Sequence, residues 1–225
     1  LRVFPKDFLK NKITIGLNMA WRSLDVMYSI TIHPDLNIPQ FIDDDISGKD
    51  ITWIVGNRKT QKLLRDKPAQ LKHALDNFYF FDYHGKPNTQ PDYEPSDAAR
   101  FMEWIETVSG DNLYLWSSIS QAAVVLAANM GAKNVILVGC DNTAIGENHH
   151  AHHQHTRWKG VAPDYRYHQY YEGLSEVRSG LRTRGVNVVS MNPFLKLDSY
   201  EHDFKILSKE LGVAEIIVGN DISKK

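Results

Sequence analysis

The segment Gln121-Ala122-Ala123-Val124-Val125-Leu126-Ala127-Ala128-Asn129-Met130 constrains this chain most. Its side chains are small and apolar nearly all round, so a helix built from them must lie close against other backbone, not along a wetted surface. Gly131 follows as a stop signal, and the β-branched run Val135-Ile136-Leu137-Val138 comes next. A close-packed helix leading into such a run belongs to a parallel sheet covered by helices.

The rest of the chain carries the same alternation. Short apolar stretches predict strands at 12–17, 29–32, 51–55, 77–81, 113–116, 134–138 and 186–190, separated by helical or polar segments. A second, more polar helix is expected over about 168–184, ending at Gly185, and Ser96 offers an N-cap to a helix at 97–108 that turns Phe101, Trp104 and Ile105 inward. The expected fold class is α/β, Rossmann-like, a mostly parallel sheet with helices on both faces. With 225 residues, 42% of them hydrophobic, one domain spanning 1–225 is the simplest reading. The stretch at about 141–164 is rich in His and Gly and lacks apolar periodicity. It reads as a lid-like loop beyond the carboxyl end of a strand, where ligands of open α/β sheets bind.

A net charge of -1 argues against a general polyanion binder, so nucleic acid is not an expected partner. No apolar run reaches the roughly 18 residues of a membrane-spanning helix. The one cysteine, Cys140, ends an apolar run and reads as a small buried hydrophobe, which fits a reducing cytoplasm.

Ser117-Ser118-Ile119-Ser120, the small-residue helix, Gly131 and Ile136-Leu137-Val138-Gly139-Cys140-Asp141 follow one another in an order that resembles the second half of the donor-binding fold in bacterial lipooligosaccharide sialyltransferases and a wider related group. Family members show a Ser/Thr-Ser-Gly turn, an alanine-rich helix and a strand ending Gly-x-Asp; Ser120 stands here in place of the turn glycine. The resemblance continues through Tyr165-Arg166-Tyr167-His168, matching a Tyr-x-x-His at the start of a helix, to Asn192-Pro193. Upstream, strands ending in asparagine correspond to Asn18 and Asn57, and His33-Pro34 stands where the family has Asn-Pro. The family also has a first strand and a glycine-rich phosphate turn ahead of a stretch like Leu1-Arg2-Val3-Phe4. The sequence begins at Leu1, and the expectation is a fragment lacking that strand and loop.

The resemblance implies metal-independent transfer of a CMP-linked, sialic-acid-like sugar to a cell-surface glycan, with the nucleotide sugar as substrate and no cofactor. It implies His168 as the base that takes the acceptor proton, which suits an imidazole whose ordinary pKa is about 6.5. Tyr165, one helical turn earlier, would donate a phenolic hydrogen bond to the leaving phosphate. Asn18, His33, Asn57, Ser118, Ser120 and Asp141 are the expected donor-binding residues. Capping and turn formation are the simpler roles for Asn18, Asn57, Ser118 and Ser120. The resemblance also implies peripheral contact of the full-length protein with the inner membrane face, in keeping with the cytoplasmic location that the single cysteine fits, and the expectation leaves room for a homo-oligomer. The lid lacks the family's tyrosines near Thr143 and His149, so the donor sugar can differ.

His149, His150, His152, His153 and His155 hold enough imidazole for a metal, yet lack the Glu spacing of helical zinc hydrolases, and a solvated lid is the simpler reading. Two alternatives stand beside the transferase. One is a Mg-dependent pyrophosphoryl transferase of the pterin pyrophosphokinase-like group, for which Asp141 is the sole carboxylate candidate. The other is a non-catalytic fragment of the fold.

Overall fold

The computed structural model describes residues 9–38, 50–57, 77–84, 101, 112–115, 118–140, 164–191, 206 and 209. Seven strands lie among them: β1 (Ile15–Leu17), β2 (Tyr28–Thr31), β3 (Thr52–Gly56), β4 (Phe78–His84), β5 (Asn112–Tyr114), β6 (Asn134–Leu137) and β7 (Asn187–Ser190). A 3-10 turn (Ala20–Arg22) and the short helix α1 (Pro34–Asn37) follow β1 and β2, α2 (Ile119–Asn129) follows β5, and α3 (Asp164–Thr183) precedes β7. Strands β1 to β5 form a five-stranded sheet in sequence order, β6 and β7 form a second pair, and every described pairing is parallel. The fold is α/β and Rossmann-like, as the alternation of apolar runs and helices requires.

Strands β2 and β3 are buried on both faces, which their sequences encode as near-continuous apolar runs, while β4 leaves Tyr79 and Phe80 exposed. Ile30, Ile54 and Phe81 point to one face, where they join Leu113, Val124, Val125, Leu174, Val177 and Val188 in the larger core. Trp53, Val55 and Phe78 point to the other and meet Trp21, Val26, Ile38 and Ile51. Trp21 meets Trp53 edge-on, with ring centroids 5.9 Å apart, a geometry aromatic pairs favour. The turn and short helix after β1 and β2 therefore close one side, while α2 and α3 close the other.

Helix α2 is central, as its composition predicts. Ser120 to Val125 are all buried, and the helix touches β1, β2, β5 and β6. A flat sheet would set β1 and β5 roughly 19 Å apart, four strand spacings. A helix is only about 10–12 Å across, so the sheet curls around it.

Both long helices end at glycines. Gly131 has φ 91°, its N–H donates to Ala128 O, and Ala132 N donates to Ala127 O. Gly185 has φ 76°, with the matching bonds to Arg182 O and, from Val186 N, to Leu181 O. These are two complete Schellman caps, each turning the chain directly into its next strand.

The expected helix at 97–108 lies outside the described residues except for Phe101, which is helical, fully buried and edge-on to Tyr114 at 5.0 Å. Most of the expected lid at 141–164, with its histidines, also lies outside them. No helix among the described residues is long and apolar enough to cross a membrane.

Candidate functional site at the carboxyl edge of the sheet

Because all strands of the sheet run the same way, β1, β2 and β3 deliver the residues that follow them to one edge. Asn18 comes directly after β1, His33 two residues beyond β2, and Asn57 directly after β3. In open α/β sheets this edge is where ligands bind.

Asn18 has φ 51°, in the left-handed region that asparagine tolerates better than most residues. Its backbone N–H donates to Ile30 O at 3.0 Å, tying the turn to β2. Its side chain enters a compact polar network. Asn18 Oδ1 accepts from the Thr31 hydroxyl at 3.0 Å and from Asn37 Nδ2 at 3.3 Å. Thr31 Oγ1 in turn accepts from Asn37 Nδ2 at 2.9 Å and from the His33 backbone N–H at 3.0 Å. Asn37 O accepts from Trp21 Nε1 at 2.9 Å. The connections after β1 and β2 are thus joined by one hub, Thr31, whose hydroxyl uses its proton and both acceptor positions. Thr31 is fully buried, so this saturation is what makes a polar side chain tolerable there.

Asn57 leaves β3 beside this cluster. A Cβ added to Gly56 would stand 3.0 Å from Ile32 Cγ2, so a side chain at position 56 would crowd the residue that follows β2.

Ser118 and Ser120 open α2. Ser118 is the N-cap, its Oγ accepting from Ser120 N at 3.3 Å, and Gln121 Oε1 accepts from Ser118 N at 3.3 Å to complete a capping box. The two serine hydroxyls lie 2.7 Å apart. No hydrogen bond among the described residues joins this pair to the Asn18 cluster. Capping accounts for the backbone N–H bonds here, and the hydroxyl pair is additional to it.

Tyr165 and His168 fall in the first turns of α3, which starts one turn earlier than the expected 168–184 span. Their backbone spacing of three residues puts them on one helix face. Their side chains lie outside the described residues, as does Asp141. Cys140 packs at the margin of the larger core, its Sγ 4.0 Å from Val138 O. Among the described residues there is no group of three or more His, Cys, Asp or Glu that could hold a metal ion.

Sequence reasoning missed Thr31 and Asn37. The available signal was Ser29 and Thr31 in a strand otherwise dictated by burial, since polar residues in such a strand need partners. Neither the family models nor the curated proteins nor the solved structures compared with this chain include a match to it.

Proposed function

We propose that the chain is the nucleotide-sugar-binding core of a metal-independent glycosyltransferase, similar to the bacterial sialyltransferases, that moves a CMP-linked acidic sugar to a cell-surface glycan from the cytoplasmic side. The observation that carries this reading is the carboxyl edge itself: Asn18, His33 and Asn57 follow consecutive parallel strands, and Asn18 is held in a left-handed backbone by a dedicated polar network. Residues kept in sparsely populated conformations cluster at ligand sites.

In this reading Asn18, His33 and Asn57, with Ser118, Ser120 and Asp141, bind the nucleotide and sugar. His168 takes the proton of the acceptor hydroxyl as that oxygen attacks the anomeric carbon, and Tyr165 donates a hydrogen bond to the departing phosphate. In-line attack inverts the anomeric centre.

The test is ligand-observed NMR with CMP, CDP, UMP and ATP, each with and without Mg²⁺, on the wild-type chain and on a His168→Ala, Tyr165→Phe double variant. CMP binding that ignores Mg²⁺ and weakens in the variant is the expected outcome. ATP binding that requires Mg²⁺ would replace this reading with pyrophosphoryl transfer. Binding of no nucleotide at all would leave a non-catalytic member of the fold.

A further inference from the structure

We infer that Thr31 and Asn37 are positioning residues that fix the Asn18 amide as a hydrogen-bond donor, Nδ2 turned away from the network, toward an acceptor-only group such as a phosphate; this rests on the nucleotide-donor reading above. The reason is a count of protons. The Thr31 hydroxyl has one proton and two acceptor positions. The His33 backbone N–H fills one acceptor position at 3.0 Å, and that donor cannot be reversed. One proton and one lone pair remain to be shared between Asn18 and Asn37. Asn37 Nδ2 fills the lone pair at 2.9 Å, the proton goes to Asn18 Oδ1 at 3.0 Å, and Asn37 Nδ2 reaches the same oxygen at 3.3 Å.

Only one other arrangement satisfies these three contacts, with both amides reversed together. If Asn18 alone turned, two NH₂ groups would face each other and the Thr31 proton would lose its acceptor in a fully buried site. The two amides are therefore coupled, and in the arrangement found here, with Asn37 Nδ2 turned to the hub, Asn18 presents its Nδ2. A phosphate oxygen accepts only, so it matches the arrangement with Nδ2 presented and opposes the reversed one.

Asn37→Asp separates the two arrangements at nearly constant shape. A carboxylate only accepts, so Asp at this position takes the Thr31 proton and draws Asn18 Nδ2 inward. The experiment uses the 225-residue chain labelled with ¹⁵N, reading solvent exchange of the Asn18 Nδ2 protons, with the signal assigned by its loss in Asn18→Asp, and the affinity for CMP without metal. In Asn37→Asp, Asn18 side-chain exchange should slow by about tenfold or more, and CMP affinity should fall by about tenfold or more, the scale of one hydrogen bond to a charged group. Thr31→Ser, which keeps the hub hydroxyl, should restore what Thr31→Val loses in CMP affinity.

Unchanged Asn18 exchange in Asn37→Asp overturns the inference whatever CMP does. Slowed exchange in a chain whose wild type binds no CMP upholds the positioning and overturns the nucleotide reading. Slowed exchange with undiminished CMP binding overturns the claim that Nδ2 faces the ligand. Should Asn37→Asp fail to fold, equal CMP affinity in Thr31→Val and Thr31→Ser overturns the inference in its place.

Discussion

At Asn18 two effects oppose each other. The left-handed backbone, φ 51°, costs a side-chain-bearing residue about 1 kcal/mol, which glycine would recover only in part because it also loosens the unfolded chain. Against this, Asn18 Oδ1 accepts two hydrogen bonds, one of them from a fully buried hydroxyl. Leaving a buried donor unmet costs about 1–3 kcal/mol. The network should win, so Asn18→Gly is expected to destabilise the fold by roughly 1–2 kcal/mol in urea denaturation. Asn18→Asp keeps the acceptors and tolerates the backbone, so it should lose less. A stabilised Asn18→Gly would mean that the network contributes less than the strain. The same residue shows what a sequence can disclose of a site. Asn18, His33 and Asn57 were legible as strand-end residues because a parallel sheet brings its carboxyl ends together. Thr31 and Asn37 were not, because their importance comes from a hydrogen-bond partnership between two connections. His33, expected as a donor contact, also gives its backbone N–H to the hub, a role that the sequence does not show.

Among the elements, the α2–α3 crossing depends on Gly173. A Cβ added there would land on the amide of Gln121, which is fully buried and completes the capping box of α2. One methyl group on α3 would therefore push the cap off another helix. Overpacking costs about 1–3 kcal/mol and a lost cap about 0.5–2. Gly173→Ala should destabilise by about 2–4 kcal/mol on this reckoning. In a Gln121→Ala background, where the space is already open, the same change should cost at least about 1 kcal/mol less. A double-mutant cycle of thermal or urea unfolding checks this, and additive effects would contradict the contact. The strands were legible, since all seven expected ones form, but the 3-10 turn Ala20–Arg22 and the short helix α1 were not expected. Strand boundaries were not legible. Strand β4 runs on to His84, past its apolar stretch, because Asp82, Tyr83 and His84 pair with Asn112, Leu113 and Tyr114, a partnership that local sequence cannot express. Strand β1 begins only at Ile15, where its partner Tyr28 begins, while Asn11 at φ 63° and the bond from Lys12 N to Leu9 O make a turn of the residues before it. The two helix ends were readable because the left-handed glycine that a Schellman cap needs is written into the chain.

For the whole molecule, the question is whether the five-stranded sheet and the β6–β7 pair unfold together. A two-stranded parallel pair has too little buried surface to stand alone. Here it is held by α3, which touches β7, and by α2, which touches β6 and also β1, β2 and β5. Val188 of β7 and Ile54 of β3 belong to the same core cluster, with Leu174 of α3 in it as well. Buried Glu176, also on α3, accepts a hydrogen bond from the Tyr114 hydroxyl of β5 at 3.3 Å, a second tie between α3 and the larger sheet. Truncating Leu174, which is about fully buried, removes contacts that both parts share. Leu174→Ala is expected to destabilise by about 2–5 kcal/mol, the usual range for such a cavity. If the molecule is one cooperative unit, hydrogen exchange followed by mass spectrometry should show peptides from β2–β3 and from β6–β7 losing protection by the same factor. Loss confined to β6–β7 would mean that α2 bridges two separately stable bodies and that the carboxyl-edge cluster at Asn18 can persist while the α3 side opens. In the proposed enzyme that second outcome would allow the helix bearing Tyr165 and His168 to open independently of the nucleotide cluster; the shared core favours the first.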